Sequence, residues 1–329
     1  MGCRSLNAWP AVFPSESPHP PVAPLSQAAH HREWTPDGPL HLGQVLGCLR
    51  RGPGDPAFRT DASGAFWRVS RTPEGPATLR VTALGGTVRG DAWGPGAAWF
   101  LDRLPVLLGG EDSSGGFAPR HRLVAEGQRR APGLRLARTG LVLESLVPSV
   151  LEQKVTADEA YRAWRRLLTR FGEPAPGPAP EGMAVPLAAR DWALVPSWEW
   201  HRAGVDNKRA STILRAVRVA ARMEEAAGMT PAEARARLEK IPGIGPWTSA
   251  EVVQRTHGAP DEVTTGDLHL PRIVGWSLVG ERDADDARML ELLAPYEGHR
   301  HRAVRYLLTV GSIPPRRAPK MRKTDIARW

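Results

Sequence analysis

The chain is nearly without cysteine: of its 329 residues, only Cys3 and Cys48 are cysteines. That count excludes a four-cysteine iron–sulfur cluster, a disulfide framework and a cysteine zinc site. The ten histidines show no metal-site spacing, so no zinc is expected. His299 and His301 alternate at the start of an expected helix and read as surface groups. No apolar run is long enough for a signal-peptide core or a membrane span, which makes a soluble cytoplasmic protein the expectation. Tyrosine is also scarce, three residues against twelve tryptophans, so an aromatic pocket wall would be built mainly from indole. Nothing encodes a dimer seam, and a monomer is expected.

With 41% hydrophobic content the chain can bury a substantial core, organised as two or three units. Lys and Arg outnumber Asp and Glu by 44 to 35, giving a net charge of +9 and a pI near 10.3. This favours a polyanionic partner, although arginine also accumulates in GC-rich coding sequences. Residues 1–34 are rich in Pro and Ser, lack a core periodicity and read as a disordered leader. Over 35–135 the pattern is β-rich. Phe66–Ser70 and Thr78–Thr82 alternate as strands, Gly85-Gly86 marks a turn, Thr87–Trp93 reads as a third strand, and a helix is expected from Gly96 to Leu108. From 136 to 315 the chain reads as helical, with core-facing helices over 157–171 and 206–226 and a Pro-rich loop over 172–186. Residues 316–329 form a basic tail that would add salt-sensitive DNA affinity.

The most informative stretch is Ile241-Pro242-Gly243-Ile244-Gly245-Pro246-Trp247-Thr248-Ser249-Ala250. Upstream, Thr230, Pro231 and Glu233 have the spacing of an N-cap, a first-turn proline and a capping box, predicting a helix to about Lys240. Pro242 stops it, the two glycines allow a tight turn, and a second helix is predicted from about Trp247 to Gly258. In such a hairpin the amides near Gly243, Ile244 and Gly245 face outward at a helix start, where a phosphate is favoured. A turn between core helices would leave the same sequence signature.

Further on, Gly266-Asp267 precedes the apolar run Leu268, Leu270, Ile273, Val274, which places Asp267 at a helix start. Taken alone, Asp267 reads as an ordinary N-cap.

Together, this hairpin and an Asp about 20 residues after it resemble the helix-hairpin-helix DNA glycosylase superfamily, and within it the DNA-3-methyladenine glycosylase II group. The resemblance spans roughly residues 35–315 and is most specific over 238–275. It implies an α+β fold: a mainly helical helix-hairpin-helix core preceded by a small β-rich domain resembling half of the TATA-binding protein. It further implies that Asp267 is the catalytic carboxylate of an enzyme that flips a damaged base from duplex DNA and hydrolyses its bond to the sugar.

Relatives that also cut the backbone carry a lysine at the position of Trp247, where its amine forms a Schiff base. Tryptophan implies a monofunctional enzyme without lyase activity, with Trp247 in the pocket wall; a buried core aromatic is the other reading of that residue. By the same carry-over, the hairpin residues Gly243, Ile244, Gly245, Trp247 and Thr248 contact DNA, and Gln153 lies beside the gap left by the flipped base. Lys154 takes the wedge position, where relatives carry apolar or amide side chains. The hairpin carbonyls of Glu239, Ile241 and Ile244 would hold a hard or monovalent cation when DNA is bound; no other cofactor is required. Lys208 and Arg209, at a helix start, read as phosphate contacts.

The resemblance implies an alkylated purine as substrate. Its positive charge favours electron-rich aromatic faces, and Trp198, Trp200, Trp247 and Trp276 are the candidates. Glu251 and Leu308 stand at pocket positions where relatives carry aromatics, which would narrow or shift the lesion range. Two alternatives stay open: a glycosylase for hypoxanthine or uracil, and a damaged-DNA-binding module without catalysis.

Overall fold

The computed structural model describes residues 30–311. The leader up to residue 29 and the basic tail lie outside the described residues. Strand β1 (His30–Trp34) belongs to the fold, although the sequence reading left it in the leader. It is followed by α1 (Leu42–Leu46) and strands β2 (Phe58–Thr60), β3 (Phe66–Thr72), β4 (Gly75–Leu84) and β5 (Thr87–Trp93). These form one antiparallel sheet in the order β1-β5-β4-β3-β2. The β4–β5 hairpin closes on Gly85 and Gly86, with φ of 59° and 83° and Leu84 paired to Thr87. A two-residue turn with both φ values positive matches strand twist and requires such residues.

The helix expected over 96–108 is instead two, α2 (Ala97–Asp102) and α3 (Leu104–Leu107), parted at Arg103. Pro105 is the reason: it has no N–H to donate to the carbonyl of Leu101. That carbonyl is taken by the Arg32 guanidinium from β1, which donates to Leu101 O at 3.1 Å and Asp102 O at 3.0 Å. Both short helices bury Phe100, Leu101 and Leu104 with the sheet residues Leu79, Val81 and Val88.

The helical part comprises α4 (Arg122–Arg130), α5 (Val142–Leu151), α6 (Ala157–Phe171), a small pair of strands β6 (Glu173–Pro174) and β7 (Ala184–Val185), then α7 (Ala189–Leu194), α8 (Ser197–Ala203), α9 (Asn207–Arg218) and α10 (Ala220–Glu224). After these come α11 (Pro231–Leu238), α12 (Pro246–Thr256), α13 (Leu270–Val279), α14 (Asp286–Leu293) and α15 (Arg300–Val310). The predicted capping box of Thr230 with Glu233 is present, and Thr156 with Glu159 forms a second at the start of α6. The helix expected over 206–226 breaks at Val219 into α9 and α10.

Two apolar cores organise these helices. One joins α5 through α12 around Leu146, Trp164, Leu167, Ile213 and Val252. The other joins α4 to α13, α14 and α15 around Val124, Val274, Leu293 and Leu307. Helix α4, counted by the sequence reading with the β-rich region, therefore packs in the second helical core. Its Gly127 lies so close to α15 that an added Cβ would stand 2.2 Å from Tyr306 O.

Buried carboxylates fasten the sheet to the helices. Glu144 on α5 pairs with Arg68 of β3 and accepts from Ser70 Oγ at 2.8 Å. Burial pushes the Glu144 carboxyl up, against the pull of Arg68. Helix α5 has no side-chain cap of its own. Glu224 supplies one, accepting from the amides of Val142 and Leu143 at 2.9 and 2.8 Å.

Candidate active site

The segment between α11 and α12 forms the predicted hairpin, and its two glycines do different work. Gly243 has φ +102°, and a Cβ there would stand 2.2 Å from Thr212 Oγ1 on α9. Gly245 has φ −113° and ψ −175°, extended backbone open to any residue, with nothing within 4 Å of its ideal Cβ. The sequence reading gave both glycines a conformational role; only Gly243 has one. Gly245 leaves open space ahead of the uncapped amides of Trp247 and Thr248, the place an oxyanion would fill. Gly243→Ala is therefore expected to lower the melting temperature clearly. Gly245→Ala should leave stability within about 0.5 kcal/mol of wild type while weakening duplex binding, measured by thermal melts and fluorescence anisotropy.

The hairpin is braced from two sides. Arg215 donates to Pro242 O at 3.1 Å. Gln153, just past the end of α5, donates through Nε2 to Gly243 O at 2.9 Å and Thr248 Oγ1 at 2.8 Å. The Gln153 amide nitrogen is thus spent inside the protein, and this residue positions the hairpin. Lys154, which follows it, is exposed and has φ +56°, making it the one non-glycine residue with positive φ among those described. Such a conformation costs of order 1–3 kcal/mol.

Asp267 uses its two carboxylate oxygens differently. Oδ1 accepts from the amides of His269 and Leu270 at 2.7 and 2.8 Å, capping α13. Oδ2 accepts from Trp247 Nε1 at 2.9 Å. The turn before it is set by Gly266, with φ +78° and its amide on Asp286 Oδ2 at 2.8 Å. A half-exposed carboxylate is thereby held in one orientation beside the hairpin. Oδ1 is saturated by its two amides, whereas Oδ2, with a single donor, keeps lone-pair capacity for a further one such as water.

Several expected site residues lie elsewhere. Arg209 is 4% exposed and cannot meet a phosphate; this corrects its reading as a DNA contact. Its guanidinium donates to Asp206 Oδ2 at 2.6 Å, to Leu151 O at 2.8 Å at the end of α5, and to Gly204 O at 3.0 Å. It satisfies helix-end carbonyls that otherwise lack donors. Lys208, one residue earlier, is exposed and points no charge into the core.

Trp200 is 2% exposed and stacks on Trp192, which stacks on Trp164, with centroid separations of 5.7 and 6.3 Å. It is core, not pocket wall. Leu308 is 51% exposed and encloses nothing, and Trp198 is also exposed. Trp276 is half-buried with Arg282 over its ring. Of the four candidate tryptophans, only Trp247 meets Asp267.

Glu251 stands one turn after Trp247 on the same side of α12. It pairs with Arg255 at 2.7 Å and accepts from Thr264 Oγ1 at 3.1 Å. Arg255 also donates through Nε to Cys48 O at 3.1 Å. Burial works against the Arg255 charge, but the carboxylates of Glu251 and Glu152 outweigh it and hold its proton more tightly than usual. The sequence reading missed Arg255, although its spacing of eight from Trp247 places it on the same helix face. It also put His301 on the surface. The residue is 7% exposed, and burial, with Arg305, Arg255 and Arg302 nearby, keeps its imidazole well below the usual pKa.

No family model matches the sequence, and no curated protein matches it either. Solved structures do share its fold. The 3-methyladenine DNA-glycosylase from Archaeoglobus fulgidus aligns with a TM-score of 0.69 at 16% identity, covering 84% of this chain and 97% of the other. MBOgg1 in complex with a low-affinity DNA ligand aligns at 0.67 with 17% identity, covering 86% and 97%. The apo 8-oxoguanine glycosylase/lyase of Clostridium acetobutylicum aligns at 0.65 with 12% identity, covering 83% and 93%. The chain has the mixed helical and antiparallel-sheet fold of these DNA glycosylases.

Proposed function

We propose that this chain is a monofunctional DNA glycosylase that hydrolyses the N-glycosidic bond of a damaged base flipped out of duplex DNA, as a step of base excision repair. The observation that carries this reading is the Trp247–Asp267 contact, which fixes a carboxylate next to a hairpin whose amides face open space. The hairpin and Lys208 grip phosphates without reading sequence. The carboxylate then stabilises the oxocarbenium-like sugar as the bond breaks and orients the attacking water. Because indole has no basic amine, no Schiff base forms at this position.

The hairpin also suits a cation. The carbonyls of Glu239, Ile241 and Ile244 are neutral hard donors. Ile241 O accepts one bond, from Ile244 N at 3.0 Å, which leaves a second lone pair, while Arg215 and Gln153 occupy the neighbouring carbonyls of Pro242 and Gly243. A bound cation would add positive charge where a phosphate meets the hairpin.

The alkylated-purine substrate of the 3-methyladenine type rests on the sequence resemblance. With Trp200 in the core, the aromatic faces that reading asks for are reduced to Trp198, Trp247 and Trp276, of which Trp247 bonds to Asp267. The polar Glu251–Arg255 pair, on the face of α12 that starts at Trp247, favours the second reading, a glycosylase for a neutral lesion such as hypoxanthine or uracil. A pure binding module gains nothing from a carboxylate near the phosphate backbone.

The monofunctional claim is tested by incubating a lesion-bearing duplex with the protein and scoring strands before and after alkali. The expected result is intact strands that break only after alkali. Strand cleavage without alkali, with a protein–DNA adduct trapped by borohydride, would overturn it.

A further inference from the structure

Asp267 lies at the end of the loop between α12 and α13, and the earlier part of that loop is fastened to α12. Gln254 donates through Nε2 to Glu262 O and to Thr264 Oγ1, both at 2.9 Å, and Thr264 Oγ1 donates to Glu251 Oε1 at 3.1 Å. Thr264 is buried, so this fastening is an interior one. Beyond it only Thr265 and Gly266 remain before the carboxylate that meets Trp247 Nε1. Gly266 reverses the chain with φ +78°, and a Cβ on it would lie 4.0 Å from Trp247 Cβ. The turn therefore runs against the base of the indole.

The turn is held from the opposite side. The Gly266 amide donates at 2.8 Å to Oδ2 of Asp286, the first residue of α14. Helix α14 does not need this side chain as a cap, because Asp285 is its N-cap and accepts from Arg288 N at 2.9 Å. Nor does burial favour a carboxylate here. Asp286 Oδ1 is buried without a hydrogen-bond partner among the described residues, and such an oxygen costs stability. The start of α14 is also fixed relative to α13, the helix that Asp267 caps. At Gly275 of α13 an added Cβ would stand 2.5 Å from Ala284 Cβ and 2.9 Å from Glu281 O. One closely packed pair of helices thus supplies both the amides on Asp267 Oδ1 and the carboxylate that holds the residue before it.

We infer that Asp286 is a positioning residue of the proposed glycosylase: by holding the Gly266 amide it aims the free lone pair of Asp267 Oδ2. The inference rests on the glycosylase reading and adds to it a residue that acts through Asp267.

The two oxygens of Asp267 differ in how firmly they are placed. Oδ1 is pinned by two amides of α13, whereas Oδ2 has the Trp247 N–H alone and swings away from it if the preceding backbone turns. That backbone is a glycine, which has no side chain to wedge it and the widest choice of dihedrals. A bond from its amide to an ionised carboxylate belongs to the stronger class of hydrogen bonds and removes that freedom. A displacement of about 1 Å in a reacting group costs as much as about 10²-fold in rate. The α13 cap and the hairpin amides use none of these atoms, so loss of Asp286 is expected in base release and not in duplex binding.

The test compares Asp286→Ala and Asp286→Asn with wild type on duplexes carrying a single uracil, hypoxanthine or 8-oxoguanine and on methylated duplex, following whichever base wild type releases. Single-turnover release at saturating protein gives the rate, anisotropy on abasic duplex gives affinity, and thermal melts report folding. Asparagine keeps an oxygen for the Gly266 amide, so its rate is expected within about threefold of wild type. The alanine variant is expected to release base roughly 10- to 100-fold more slowly, with abasic-duplex affinity unchanged in both. Equal rates for Asp286→Ala and wild type would overturn the inference and leave the glycosylase reading standing. A loss shared equally by both variants would assign the effect to charge and overturn it as well, as would a fall in affinity in step with the rate. Release of no base by wild type would overturn the glycosylase reading together with the inference. Should Asp286→Ala not fold, Asp286→Ser takes its place with the same expected loss, since serine suits a helix start and its hydroxyl ends one bond short of Oδ2.

Discussion

Asp267→Asn is expected to slow base release by about 10²–10⁴-fold while leaving the fold and duplex binding close to wild type. The reason lies in how the two carboxylate oxygens are used. Oδ1 caps α13 through the amides of His269 and Leu270, and asparagine caps as well as aspartate. With its oxygen on those amides, the new Nδ2 faces the Trp247 N–H that formerly donated to Oδ2. Two donors then meet, and one hydrogen bond worth about 1 kcal/mol is lost. That corresponds to a melting shift of roughly 2–4 °C for a chain of this size. The negative charge opposite the developing oxocarbenium is gone altogether. Single-turnover release rates, abasic-duplex affinity and thermal melts separate these effects. Equal rates for the two proteins would remove Asp267 from the chemistry, and a collapsed melting temperature would make the cap its main role.

Arg209→Ala and Lys208→Ala, adjacent substitutions of like charge, are expected to have unlike consequences. Removing the Arg209 side chain strands the carbonyls of Leu151 and Gly204 and takes the cation from Asp206. Removing one member of a buried pair costs about 3–5 kcal/mol. Since the Asp206 side chain is about half exposed, a loss near the lower end is expected, about 3 kcal/mol, or roughly 6–12 °C in melting temperature. Lys208→Ala should leave stability within about 0.5 kcal/mol. Its effect belongs to DNA binding, with the slope of log affinity against log salt reduced by about one. The reverse pattern would mean that Arg209 is the phosphate contact and the burial of its guanidinium is wrong.

These neighbours also show where sequence stops being informative. Features written into short spacings were legible: the Thr156–Glu159 and Thr230–Glu233 capping boxes, the strands around Gly85-Gly86, and the hairpin at Gly243. Each is set by residues within a few positions of one another, or by a turn that admits few residue types. What was not legible depends on which helix face meets a second element. Arg209 and His301 lie on helices whose polar faces look solvated from spacing alone, yet helix ends and neighbouring arginines bury them. A tryptophan at 200 satisfies a core or a pocket equally well, and only the stack on Trp192 and Trp164 decides. The split at Pro105 was readable in principle, since proline cannot continue a hydrogen-bonded helix. The capture of the freed Leu101 carbonyl by Arg32 was not, because it bridges 69 positions.

The account turns on base release assisted by a carboxylate held by Trp247. The most direct measurement is a single-turnover time course with the full chain in excess over end-labelled duplexes, each carrying one lesion, with free base and alkali-labile sites quantified together. The account predicts first-order appearance of a free base matched one for one by alkali-labile sites. Stable binding to the same duplexes, with every base still attached to its sugar, would contradict it.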